Sequence, residues 1–375
     1  MHKLKNIICL GIKELQCLRY DTVLLIFIIW AFSVGIYAAA TAATMDLNNA
    51  PVAVVDEDRS PLSNRIINAF YPPYFMPPPL ISYTEVDAKM DRGYFTFIIV
   101  IPSGFERDLI AGKKPAIQVN VDATRMSQAF IGAGYIQNIV NDEINGYLLG
   151  YRGETKLPID LKLRYKFNSN LEGSWFGSIM EIINNINMLA IILAGAAIIR
   201  EREHGTLEHL LVMPLTPFEI MTAKIWSNAL VIIVAVWFAL YVVVKGLLGV
   251  PILGSIPLFM LGTAIYLFSA TSLGILLGTV ARSMPQLGLL LILVVLPLQL
   301  LSGAVTPQES MPPMVHAIMQ MAPSTHFVTF AQAILYRGVG LNTVWPQFIA
   351  ITVIGIVLFL FALSRFRKMI GNMHD

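Results

Sequence analysis

Hydrophobic and polar positions alternate on two scales along this chain. Six stretches are apolar for long enough to cross about 30 Å of hydrocarbon as a helix. Between the first and second of them the apolar residues come only in short runs. Thr22 to Met45 is uncharged, which places a first span at 23–45. Ile182 to Ile199 is uncharged within a second span at 179–199, and Ile225 to Val244 is a third. The uncharged run from Gly246 to Ala281 is too long for one crossing. Pro251, Gly254 and Pro257 break it and leave a fourth span at Leu258–Val280. Leu287–Leu301 predicts a fifth span with a kink at Pro297, and Val344–Leu363 a sixth. Together the third to sixth spans occupy 225–363. They enclose a broken segment at 302–340, where prolines divide pieces too short to cross.

Residues 46–178 follow another rule. Pro51–Val55, Tyr94–Ile101, Ala116–Val121 and Leu161–Phe167 read as strands, being β-branched, aromatic or alternating. Ser60–Phe70, Thr84–Arg92, Pro102–Ala111 and Ser127–Leu149 read as helices. Pro72, Pro73 and Pro77–Pro79 form a rigid connection. Strands interleaved with helices predict an α/β or α+β domain. The expected fold is therefore membrane α-helical: six transmembrane helices, with a large extracytoplasmic domain inserted between helices 1 and 2.

Charge then orients the spans. Residues 1–22 predict an amphipathic helix. Leu4, Ile7, Ile8, Gly11, Ile12, Leu15 and Leu18 lie on one face, and Lys3, Lys5, Lys13, Glu14 and Arg19 on the other. Such a helix suits the cytoplasmic membrane surface, and it also serves as a positive leader for the first span. Lys and Arg concentrate there, at 200–224, at Arg282 and in the tail 364–375, all on one side of a six-span arrangement. The opposite short loops carry only Lys245 and Arg337. The positive-inside rule makes the first side cytoplasmic, with both termini. The inserted domain then lies outside.

Composition agrees: the chain is 56% hydrophobic and 13% charged, about half the charge of a soluble domain. A net charge of +2 without a basic cluster excludes nucleic acid. Cys9 and Cys17 are about 12 Å apart on one helix, too far for a disulfide, and read as reduced thiols.

Candidate chemistry is sparse. No G-x-x-x-x-G-K-[ST] occurs, so the chain builds no P-loop, and no G-x-S-x-G occurs. His204 and Glu208-His209 are one residue too widely spaced for a zinc-protease helix, and no metal site is expected. His316 and His326 read as polar surface positions. Asn184, Asn185 and Asn187 in the second span and Gln299 in the fifth are costly in hydrocarbon; they line a substrate path or bridge helices. No charged residue is expected deep in any span, which disfavours an ion-coupled carrier.

The densest block of charge is Arg200-Glu201-Arg202-Glu203-His204-Gly205-Thr206-Leu207-Glu208-His209-Leu210, continued by Pro214, Pro217, Glu219 and Lys224. It resembles the cytoplasmic signature of ABC-2 type permeases, E-R-E-x-G-T-x-E-x-L-x-x-x-P, a short helix and a lysine. The likeness extends to the N-terminal helix, the six spans and the broken segment. It implies the membrane subunit of an ATP-driven exporter, in which residues 200–224 couple to a separate ATPase subunit. The implied coupling residues are Arg200, Glu201, Arg202, Glu203, Gly205, Thr206, Glu208, Pro214, Pro217 and Lys224. The resemblance further implies ATP and Mg on the partner and none on this chain. It also implies a second permease half in a homo- or heterodimer, a re-entrant hairpin at 302–340 and an inner-membrane location, with an outer domain that receives substrate or contacts a periplasmic adaptor protein. Locally, Gly205-Thr206 is expected to cap a helix start, Glu208 to sit near its positive end, and Pro214 and Pro217 to end it and begin the next. Drug, lipid or another amphiphile remain open as cargo. The competing reading is a non-transporting tether or receptor whose outer domain binds a partner; six spans exceed what an anchor needs. A membrane-bound enzyme lacks a catalytic constellation.

Overall fold

The computed structural model describes residues 2–42, 47, 49–122, 126–148, 173–203, 205, 215–306, 308 and 311–371. The chain divides into two compact units, Met1–Ala43 with Ser174–Asp375, and Thr44–Gly173.

The first unit is helical. Helix α1 (His2–Tyr20) precedes α2 (Thr22–Trp30), which passes through a π-helical turn at Ala31–Gly35 into α3 (Ile36–Ala42). Asp21 accepts from the Leu24 N–H at 3.1 Å and caps α2. Among the described residues six helices are long and apolar enough to cross a membrane: Thr22–Thr41, Gly173–Glu203, Pro217–Leu247, Ile256–Val280, Met284–Leu301 and Leu341–Gly371. They comprise α2–α3, α8 (Gly173–Glu203), α9 (Pro217–Phe238) with its π-helical continuation Ala239–Leu247, α10 (Ile256–Val280), α11 (Met284–Leu301) and α14 (Leu341–Gly371).

Three of these helices run past the apolar stretches that announced them. Helix α8 continues through Arg200–Glu203, α9 begins at Pro217, and α14 carries Arg365, Arg367 and Lys368 in its last turns. A backbone hydrogen-bond ladder does not stop where hydrophobicity stops; it stops at a cap. For α9 the cap is Thr216, in a reciprocal box with Glu219: the Thr216 N–H donates to Glu219 at 2.7 Å and the Glu219 N–H to Thr216 at 3.3 Å.

Helices α8 and α10 approach closely because they meet at glycines. A Cβ on Gly274 would lie 2.4 Å from the Ile191 carbonyl, and one on Gly278 2.8 Å from that of Gly195. Among its described residues the broken segment forms two short helices, α12 (Pro313–Met319) and α13 (Pro323–Leu335). Helix α13 buries Phe327 and Phe330 against α10, where the Phe327 ring stacks 4.0 Å from Tyr266.

The second unit is built on a small three-stranded sheet in the order β1 (Val52–Asp56), β2 (Phe97–Ile101), β3 (Gln118–Val121). β1 and β2 are parallel, and β2 and β3 antiparallel. Both faces of β1 and β2 are covered, which is why Val52–Val55 and Phe97–Ile101 are continuous apolar runs. Helices α4 (Pro61–Ile67), α5 (Val86–Asp91), α6 (Phe105–Ile110) and α7 (Met126–Leu148) complete the described part. The expected strand at Leu161–Phe167 lies outside the described residues. The proline connection lies along the open edge of β1: the Val54 N–H donates to Pro79 at 3.1 Å and the Ile81 N–H to Val54 at 3.0 Å.

Two helix starts in this unit cap each other. Glu106 accepts from the Leu62 N–H at 3.0 Å, and Asp58 from the Glu106 N–H at 3.1 Å. The Leu62 N–H holds the Glu106 carboxyl below its ordinary range. Burial pushes Asp58 upward, but Ser60 and the N–H groups at the start of α6 outweigh it and hold it low.

Candidate coupling site

The last turn of α8 carries four consecutive charges, and each reaches a different element. Arg200 pairs with Asp21 at the start of α2. The Glu201 Oε1 lies 2.9 Å from Lys224 Nζ on α9 and 3.9 Å from Lys13 on α1. Arg202 Nη2 donates to the Gly278 carbonyl at 2.9 Å and the Ala281 carbonyl at 2.5 Å, closing the end of α10. Glu203 accepts from the Met284 N–H at 3.0 Å, at the first turn of α11. These contacts complement both dipoles: a cation meets the carbonyl end of α10 and an anion the amide end of α11.

Lys224 lies at the centre. Its side chain is 1% exposed, and its Nζ is 2.9 Å from Glu14 as well as Glu201. A lysine so buried is tolerated only when its charge is matched. Burial pushes the Glu14 carboxyl up, but Lys224 outweighs this and the carboxyl is held below its usual range. Helix α1 is fastened to α9 at three further points. Asn6 donates to Glu219 at 3.2 Å, Trp226 Nε1 to the Ile7 carbonyl at 3.2 Å, and the Trp226 ring fills the space a side chain on Gly11 would need.

The geometry corrects one expectation and sharpens others. Lys224, one of the implied coupling residues, is enclosed in the packing of α9. Glu201 is also buried, while Arg200 and Arg202 are half-buried and Glu203 is exposed. Glu14, placed on the polar face of α1, belongs to the packed face with Ile7, Leu10 and Gly11, while Leu4, Ile8 and Ile12 stay exposed. Gly205, at φ 66°, donates its N–H back to the Arg202 carbonyl and so terminates α8; the helix start expected after it lies outside the described residues. Pro217 occupies the first turn of α9 as expected. Thr206, Glu208 and Pro214, with His204 and His209, lie outside the described residues.

The mid-span amides divide. Asn185 donates to the Ala31 carbonyl at 2.9 Å, and Asn187 accepts from the buried Tyr266 hydroxyl; both bridge helices. Asn184 is half-buried on the outer stripe of α8. Gln299 is half-buried near the end of α11, and its carbonyl accepts from Ser302 at 3.3 Å. His316 and His326 both contact Gln320 in a polar cluster, at 3.3 and 2.9 Å. Sequence reading missed Glu14, Lys13, Asp21 and Tyr266 as partners. The available signal was Glu14 one helical turn after Gly11, a small residue that admits a neighbouring helix.

An ABC-2 family transporter protein model matches residues 21–364, and the chain belongs to that family. It is a multi-pass membrane protein and the membrane subunit of a transporter. Over 373 residues, all of both chains, it is 59% identical to the inner membrane transport permease YhhJ of Escherichia coli (strain K12). It is 28% identical over 362 residues to the probable multidrug ABC transporter permease YbhR of Escherichia coli (strain K12), covering 95% of this chain and 96% of that one. The probable multidrug permease YbhS of the same organism is 28% identical over 263 residues, 68% of each chain.

Proposed function

We propose that this chain is the permease subunit of an ATP-driven exporter of drugs, lipids or other amphiphiles in the inner membrane. Both termini and residues 200–224 face the cytoplasm. A separate ATPase subunit docks there and carries ATP and Mg, and a second permease half completes the path. The domain inserted between the first two spans lies outside, where it meets cargo or an adaptor protein. The Lys and Arg distribution supports this orientation.

The observation that carries the coupling role is Lys224 held between Glu14 and Glu201. It joins α1, the end of α8 and the start of α9, the two helices that flank the 204–215 segment. A force applied to that segment enters a charge-locked group of helices, which moves as a rigid body instead of dissipating the force in a loop. The charges of the signature then hold the permease side together, and the segment between them meets the ATPase.

The test is to tag the full chain, isolate it from membranes of its own cell and identify what co-purifies. An ATP-binding-cassette subunit whose ATPase activity falls at least tenfold with Glu208→Lys, within the 204–215 segment, while the chain still inserts in the membrane, supports the reading. Nucleotide binding by the purified chain alone would sink this division of labour.

A further inference from the structure

Helix α8 has a third carboxylate besides Glu201 and Glu203, and nothing in the coupling site uses it. Glu181 lies nineteen residues before Arg200, roughly 28 Å along the helix at 1.5 Å per residue. It therefore stands close to the full hydrocarbon thickness away from the charged end. It stands at the end of the second span opposite Arg200, inside the longer helix Gly173–Glu203. Glu181 is half-buried and opens a stripe of half-buried positions continued by Asn184, Met188, Ile192 and Ala196. These are the positions of α8 that the first unit leaves open; the residues between them are buried. Helix α11, whose Leu287 packs on Gly195 of α8, leaves Ile292, Leu293 and Leu296 exposed.

Asn185, four residues further along α8, directs its amide to the Ala31 carbonyl at 2.9 Å. Among the described residues no Lys, Arg or His nitrogen comes within ion-pair distance of Glu181, although Glu201 on the same helix has two. A half-buried carboxylate at this edge of the hydrocarbon attracts a cation, since none of its own is at hand. Below it the stripe is an amide and then apolar, so it accepts one positive charge followed by an oily body.

We propose that the open stripe of α8 is a cargo-binding surface for cationic amphiphiles, with Glu181 recognising the charge and Met188 and Ile192 the apolar body. This rests on the exporter reading and narrows its cargo. The occupant follows from charge complementarity: an anionic amphiphile would bring like charge to Glu181, and a neutral one would leave the carboxylate unmatched.

The test is equilibrium dialysis of the purified full chain in a non-ionic detergent, with empty micelles as background. The probes are tetraphenylphosphonium and tetraphenylborate, nearly equal in shape and opposite in charge. Saturable binding of the cation, weakened at least tenfold in Glu181→Gln and largely kept in Glu181→Asp, with no saturable binding of the anion, is expected. Equal affinity of wild type and Glu181→Gln for the cation, equal binding of the two probes, or no saturable cation binding would each overturn the proposal. So would a changed oligomeric mass of Glu181→Gln at unchanged cation affinity, which assigns the stripe to a second copy of the chain. A chain that recruits and stimulates an ATPase yet ignores tetraphenylphosphonium loses the cargo assignment and keeps the subunit role. One that binds the cation but no ATPase does the reverse.

Discussion

Two carboxylates on α8 show opposite treatments of charge at a membrane. Glu201 is buried with Lys224 at 2.9 Å and Lys13 at 3.9 Å. Glu181 is half open, and no cation lies within ion-pair distance of it among the described residues. At the first, matched charge joins helices, and the arrangement is complete within the chain. At the second, the charge is left for something else to match. A charged residue in a span therefore has no fixed meaning: its partners decide whether it is mortar or a receptor.

The largest expected effect comes from unbalancing the complete end. Lys224→Met leaves Glu14 and Glu201 facing one another in a buried site, a loss on the order of 3–5 kcal/mol. The thermal midpoint of the purified chain should fall sharply, and adding Glu14→Gln with Glu201→Gln should recover most of it. If the single variant is as stable as wild type, the matched cluster does not hold the helices. By contrast Glu181→Gln should leave the midpoint within a degree or two.

Next in size is the glycine contact between α8 and α10. Gly274→Ala places a methyl 2.4 Å from the Ile191 carbonyl, so the helices must separate. A loss of about 1–3 kcal/mol is expected, read from the same thermal midpoint. An unchanged midpoint would mean that the helices part freely.

A smaller effect attaches to Glu203, the exposed member of the block. Glu203→Ala removes the acceptor for the Met284 N–H and should cost about 1 kcal/mol. Faster amide exchange should appear in the first turn of α11, while protection at α9 is unchanged. Exchange altered equally at both would contradict a local cap.

The smallest concerns pH in the 44–173 unit. Asp58 and Glu106 are held low in the folded chain. Their contribution is therefore present above the unfolded carboxylate range, about pH 4, and is lost as pH falls through the lower folded values. Exchange at α4 and α6 in the intact chain should quicken below about pH 4, and less so in Asp58→Asn. A pH-independent rate would show that the two caps contribute nothing.

Much of the architecture was legible in the sequence because hydrocarbon imposes a length rule and exposed backbone is forbidden there. The six spans, the prolines that divide 302–340 and the short strands at 52–56 and 97–101 all follow from local composition. Helix ends were less legible, since Thr216 and Gly205 set them rather than hydropathy. The role of the signature was legible only in outline. Its charges point inward to partners far along the chain, and the Glu14–Lys224 contact joins residues 210 positions apart.

By itself, then, the sequence determined that this is a six-span permease of the ABC-2 family and where its charges stand along the chain. The tertiary structure alone decided which charges meet. Hydrophobicity is a property of a segment and can be read from it, whereas charge compensation is a property of pairs and exists only once distant segments are packed together. Glu201 and Glu181 stand on one helix as the same residue, and only their neighbours separate them.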